Sequence, residues 1–69
     1  DQLINEAMNY ANRYELRGYD AVQLAAALEV EKRIKLIGGS SLIFVSADND
    51  LNNAASAEGL AVENPNNYP

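Results

Sequence analysis

Between the Gly38-Gly39 pair and Asp48 lies the run Ser41-Leu42-Ile43-Phe44-Val45-Ser46, apolar without interruption over 42–45. A strand with one wet face alternates apolar and polar residues, whereas a strand buried on both faces reads as a continuous run of β-formers. The run therefore predicts a central parallel strand. Parallel strands need crossover connections and helices packed on the sheet, so this one segment commits the chain to an α/β architecture.

The flanking sequence supplies the helices. Over residues 2–14, Leu3, Ala7, Tyr10, Ala11 and Tyr14 recur at three- and four-residue steps, and Ile4 and Met8 widen the stripe into that of an amphipathic helix. Glu15-Leu16-Arg17-Gly18 breaks it, with Gly18 suited to a left-handed closing turn. Asp20-Ala21-Val22-Gln23 has the spacing of a helix start, with Asp20 as N-cap and Gln23 reaching back. Ala21, Val22, Leu24, Ala25, Ala26, Ala27, Leu28 and Val30 are apolar nearly all round, which predicts burial on most sides for the first half of this second helix. In its second half Glu29 with Arg33, and Glu31 with Lys35, form acid-then-base pairs on a solvated face before Gly38-Gly39 ends the helix.

After the strand, Asp48-Asn49-Asp50 provides cap residues for a short helix through Leu51, Ala54, Ala55 and Glu58, closed by Gly59. Leu60-Ala61-Val62-Glu63 reads as a second strand parallel to the first, and residues 64–69 as an irregular tail. The expected order is helix, helix, strand, helix, strand, with no internal repeat. Two strands for three helices do not make a finished sheet, so the expectation is one partial domain over residues 1–69.

Composition narrows the chemistry. The chain has 69 residues with no cysteine and no histidine, which excludes a disulfide framework, a thiol nucleophile, a Ser-His-Asp triad and an imidazole proton shuttle. Carboxylates remain. Ten acidic residues against five basic give a net charge of −5, which argues against nucleic-acid binding driven by net charge alone, although a divalent cation can supply the missing positive charge. No apolar run approaches the ~18 residues of a membrane span, and residues 1–6 lack a basic signal-peptide start, so no membrane partner and a cytoplasmic location are expected.

Among the acids, Asp48 stands just past the carboxyl end of the apolar strand, where α/β folds place ligands. Asp20, at a helix start, joins it only if that helix brings its N-terminus to the same edge. Two or more carboxylates meeting there suit Mg²⁺ or Mn²⁺, and the Ser46 hydroxyl is placed to orient a ligand. Each residue also has a plain structural role: Asp20 and Asp48 as N-caps, and Asp50 as a first-turn acid complementing the helix dipole. A calcium loop beginning at Asp48 fails, because its sixth and twelfth positions are Asn53 and Gly59 rather than Gly and Glu. A phosphatase-type Asp-x-Asp motif fails too, since Asn52 stands where Thr or Val is wanted.

Taken in order, Leu16-Arg17-Gly18-Tyr19-Asp20-Ala21-Val22-Gln23-Leu24-Ala25-Ala26-Ala27-Leu28, Leu42-Ile43-Phe44-Val45-Ser46-Ala47-Asp48, Ala54-Ala55 and Glu58-Gly59-Leu60-Ala61-Val62 resemble the C-terminal half of a PIN domain. The pattern is similar to that of VapC-like toxin ribonucleases. The resemblance spans roughly residues 10–65 and implies a three-layer α/β/α fold, of which this chain is a C-terminal fragment. It also implies a metal-dependent endoribonuclease of toxin–antitoxin type that cleaves RNA by metal-activated water. Asp20 and Asp48 would be its metal-site carboxylates, Ser46 an orienting hydroxyl, Mg²⁺ or Mn²⁺ the cofactor, and an antitoxin a partner of the full-length protein. The family's first Asp and its early-helix Glu have no counterpart here, so the fragment alone is expected to be inactive. The alternatives are a non-catalytic self-associating module and a small helical interaction domain in which both acids are only caps. A homo-oligomer is expected through the 41–46 strand edge and the apolar helix faces.

Overall fold

The computed structural model describes residues 2–67. The chain forms helices α1 (Gln2–Tyr14) and α2 (Gly18–Leu36), strand β1 (Ile43–Val45), helix α3 (Asn49–Ala57), strand β2 (Ala61–Glu63) and a 3₁₀ turn over Pro65–Asn67. It is a mixed α/β structure with the expected element order. The two strands pair in parallel, with Ile43 opposite Ala61, Phe44 opposite Val62 and Val45 opposite Glu63. Of the tail, Tyr68 and Pro69 lie outside the described residues.

Small residues set the packing. Ala7 on α1 meets Ala21 and Ala25 on α2, all three buried, so the two helices approach closely along an alanine seam edged by Leu3, Tyr10, Ala11 and Leu16. A second cluster joins α2 to the strand–helix–strand unit through Leu24, Leu51, Ala54, Ala55 and Leu60, with Phe44 and Val62 packed against it from the sheet. Leu24 is wholly buried and is the largest side chain so enclosed.

Three expectations change in the structure. The 42–45 run does not lie between two layers. Side chains alternate across a strand, so Phe44 turns to the core while Ile43 and Val45 remain 55% and 66% exposed. Among the described residues, helices cover one face of the sheet, and the apolar outer face is bare. The first half of α2 is likewise buried on one side only, with Val22 and Val30 exposed. The third change is in the opposite direction. Glu31, expected on the solvated face, is buried; its Oε2 accepts the Leu42 N–H at 2.8 Å while Oε1 pairs with Lys35 Nζ at 3.6 Å. The i,i+4 pair thus forms, and one of its members also anchors the chain as it enters β1. The second predicted pair, Glu29 with Arg33, also forms, at 3.2 Å.

The helix ends show where local rules applied and where they were misassigned. α2 closes with Gly38 at φ 77°, the Gly39 N–H bonding Ile34 O at 2.9 Å and the Gly38 N–H bonding Lys35 O at 3.2 Å. This is a Schellman closure. α3 ends in the same way at Gly59, φ 96°, with Leu60 N–H to Ala55 O and Gly59 N–H to Ser56 O, both at 3.0 Å. α1 also closes through a left-handed residue, but that residue is Glu15, φ 55°, and not Gly18, which opens α2. The Leu16 N–H bonds Ala11 O at 3.1 Å across it. A residue with a Cβ in this conformation costs about 1–2 kcal/mol relative to the right-handed region.

Glu15→Gly is therefore expected to stabilise the chain, by roughly 1 kcal/mol after glycine's added unfolded-state entropy is subtracted. The check is a urea titration in which the midpoint rises at unchanged slope.

Candidate functional site

The carboxyl end of β1 leads directly into α3, and the connecting turn is closely bonded. Ser46 N–H continues the sheet ladder to Glu63 O at 3.2 Å. The Ser46 Oγ then accepts the Asp48 N–H at 3.1 Å, and Asp48 Oδ1 accepts the Leu51 N–H at 3.0 Å as the N-cap of α3. Serine and aspartate favour such turns because their short side chains reach backbone donors two and three residues on. Ser46 and Asp48 are thus brought together at a strand end, and Asp48 is exposed there. Asp50 lies in the first turn of α3, complementing the dipole as expected.

Asp20 has a different local role from the one its spacing predicted. α2 begins three residues earlier than expected, its N-cap is Arg17, and no side chain caps it. Asp20 therefore sits in the first turn, where its charge favours the helix dipole without closing a cap. The helix gained its early start because Gly18 and Tyr19 joined it, the Ala21 N–H bonding Arg17 O at 2.9 Å.

Among the described residues, no group of three or more acidic side chains gathers in a way that could hold a metal ion. Asp48 already commits Oδ1 to an amide. Mg²⁺ demands near-octahedral oxygen coordination and gives up water reluctantly, so these residues alone do not fit a resident divalent-metal site. A surface cleft of about 330 Å³ lies elsewhere, lined by Gln2, Leu3, Glu6, Glu29 and Arg33.

Two features escaped the sequence reading. Asn52, one turn into α3, is buried and donates from Nδ2 to the Ser46 carbonyl at 2.7 Å, leaving its Oδ1 buried without a hydrogen-bond partner. An orphaned buried acceptor costs roughly 1–3 kcal/mol. The other is a polar cluster tying α1 to the end of α3. Glu58 Oε2 receives Arg13 Nη1 at 3.0 Å and the Tyr14 hydroxyl, while the Arg13 guanidinium lies 5.9 Å from the centres of both the Tyr10 and Tyr14 rings, which stack on each other. No local pattern announces a contact between residues 44 positions apart.

Comparison with family models, with curated proteins and with solved structures gives no match to this chain.

The tyrosines of the cluster give it a pH signature. The hydrogen bond to Glu58 raises the Tyr14 phenol above its ordinary value of 10.0, with burial adding to the rise, and burial first, then the Glu58 charge, raises Tyr10. A group that holds its proton more tightly when folded contributes stability that is complete below the unfolded pKa and lost as pH rises through the folded one. Stability is thus expected to fall as pH climbs above 10. Tyr14→Phe should lower stability at neutral pH and flatten that alkaline decline, which denaturant midpoints measured between about pH 8 and pH 11 will show.

Proposed function

We propose that this chain is the C-terminal part of a PIN-like, metal-dependent endoribonuclease of toxin–antitoxin type, inactive by itself. The observation that carries the reading is the Ser46-Ala47-Asp48 turn. It stands at the carboxyl end of a parallel strand, the position at which α/β sheets bind ligands, with an exposed carboxylate at its tip and a hydroxyl two residues before it. The parallel pairing of β1 with β2 and the helix that links them match what the resemblance implies. On this reading Asp48 and Asp20 are two of the acids that meet Mg²⁺ or Mn²⁺, Ser46 orients the Asp48 turn, and the remaining acids come from polypeptide outside residues 1–69. The third layer of the PIN-like fold would cover the outer face that Ile43 and Val45 leave bare. The substrate is RNA, and an antitoxin is the regulatory partner. A metal of this kind activates water and offsets phosphate charge. This chain's own share is to hold Asp48 at the strand end. No helix among the described residues is long and apolar enough to cross a membrane; a cytoplasmic location is part of the same proposal.

The test exploits the cap. Asparagine caps a helix about as well as aspartate, whereas alanine forfeits about 1 kcal/mol. In the whole protein with Mn²⁺ and single-stranded RNA, Asp48→Asn is expected to lower cleavage by roughly 10²–10⁴-fold at nearly unchanged melting temperature. Asp48→Ala should lose both activity and stability. Equal cleavage by wild type and Asp48→Asn would leave Asp48 as a cap and nothing more.

A second reading, a non-catalytic self-associating module, is favoured by the bare sheet. Its accessible surface of 4801 Å² exceeds the roughly 4,200 Å² of a compact monomer of this mass, and Ile43 and Val45 contribute to the excess. On this reading β1 pairs with a second copy along its open edge, aided by apolar helix faces such as Ile4 and Met8. Sedimentation of the 69-residue chain at micromolar concentration should then give a mass above 7.5 kDa that returns to 7.5 kDa with Val45→Lys. A folded 7.5 kDa wild-type species would eliminate self-association.

A further inference from the structure

Asn52 bonds to the turn that carries Asp48 from inside the fold. It is only 9% exposed, and its Nδ2 donates to the Ser46 carbonyl at 2.7 Å. Its own backbone N–H bonds the Asp48 carbonyl at 2.9 Å. Residue 52 therefore grips both ends of Ser46-Ala47-Asp48, one by its side chain and one by its main chain. Without the side-chain bond, the Ser46 end of the turn is tied to α3 only through the capping bonds that Asp48 itself makes.

The orientation of the amide is not arbitrary. Turning it over would set Oδ1 against the Ser46 carbonyl oxygen, acceptor against acceptor, so the donor must face Ser46. Oδ1 is then left buried with no partner. A leucine is nearly the same size and would remove the orphaned Oδ1, but it would also take the donor away from the Ser46 carbonyl. Asparagine thus leaves its own Oδ1 unpaired where leucine would leave the Ser46 carbonyl unpaired, and what it adds is the fixed Ser46 carbonyl.

We infer that Asn52 is a positioning residue for Asp48, fixing the Ser46-Ala47-Asp48 turn so that the carboxylate stays aimed from the strand end. The inference rests on the reading of Asp48 as a site carboxylate. Two reporters follow from the bonding. The Leu51 N–H is held by Asp48 Oδ1 and the Asp48 N–H by Ser46 Oγ, so their hydrogen exchange reports the carboxylate and the turn directly.

The experiment compares wild type with Asn52→Leu. In the 69-residue chain, well below the melting temperature of either form, Leu51 and Asp48 amide exchange should accelerate about tenfold or more in the variant while exchange in α1 and α2 is unchanged. In the whole protein with Mn²⁺ and single-stranded RNA, kcat should fall about tenfold or more with KM within about twofold. Unchanged exchange at Leu51 and Asp48 in the folded variant would overturn the positioning role. So would accelerated exchange with unchanged kcat. If Asn52→Leu fails to fold, the wild-type Asn52 side-chain amide decides: protection relative to the exposed Asn49 and Asn53 amides upholds the bond, and equal exchange overturns it. A wild-type protein that cuts no RNA retires the ribonuclease reading by itself, and the exchange measurements then still decide whether Asn52 fixes the turn.

Discussion

Leu24 is the fully buried centre of the contact between the two halves of the molecule. It projects from α2 into the space between Leu51, Ala54 and Ala55 on α3 and Leu60 at the start of β2, and it is wholly withdrawn from water. On the α1 side of the same helix, Ala21 and Ala25 accept Ala7. α2 therefore presents long side chains, Leu24 and the partly buried Leu28, to the strand–helix–strand unit and two short ones to α1. Exchanging them would not work. A leucine at 21 or 25 would force α1 away, and an alanine at 24 would leave a cavity that the surrounding alanines are too short to fill.

A core built so largely of alanine has a consequence at the surface. Where buried positions are small, large apolar side chains are left outside, and Ile4, Met8, Tyr19, Leu36, Ile37, Ile43 and Val45 are all exposed. The chain is nearly half hydrophobic in composition, yet its described core contains only three leucines with five alanines. This mismatch between what the chain carries and what it buries underlies both functional readings, since one supplies a layer over the outer face of the sheet and the other a second copy for its open edge and the apolar helix faces.

Much of this architecture was legible in the sequence, and the reasons differ by element. The amphipathic stripe of α1, the glycine closures after Leu36 and Ala57, and Asp48 as the N-cap of α3 each depend on residues within a few positions of one another. Local spacing carries that information. The same local rules misplaced the left-handed residue between α1 and α2. Glycine is the cheapest occupant of such a site, but Glu15 is the residue that the length of α1 puts there. The two-sided burial expected of the 42–45 run failed for a different reason. A continuous apolar run records that both faces suit a dry environment, and it cannot record whether the residues described here provide one. The bonds of Glu31 to Leu42 and of Glu58 to Arg13 and Tyr14 were invisible because those partners become neighbours only once the helices dock, whereas Asn52 reaches Ser46, six positions back, only once the strand-to-helix turn has formed.

On the proposed reading, structural and chemical demands coincide at Asp48 on one side chain. An N-cap needs an oxygen aimed at the first turn, which fixes Oδ1 on the Leu51 amide and orders the carboxylate as a whole. A site carboxylate needs that same order, because a side chain free to rotate spends entropy on every ligand it meets. Capping and ligand binding are therefore not rival explanations at this position. The cap pre-organises the carboxylate, and the turn beneath it, pinned by the sheet at Ser46 on one side and by Asn52 on the other, keeps the cap from drifting. Asp20 has no such support. With no side-chain cap at its helix end, its carboxylate owes its place only to the first turn of α2. Of the two acids, Asp48 is the one that the fold has already positioned, and Asp20 is the one whose geometry a metal or a further segment of chain would have to fix.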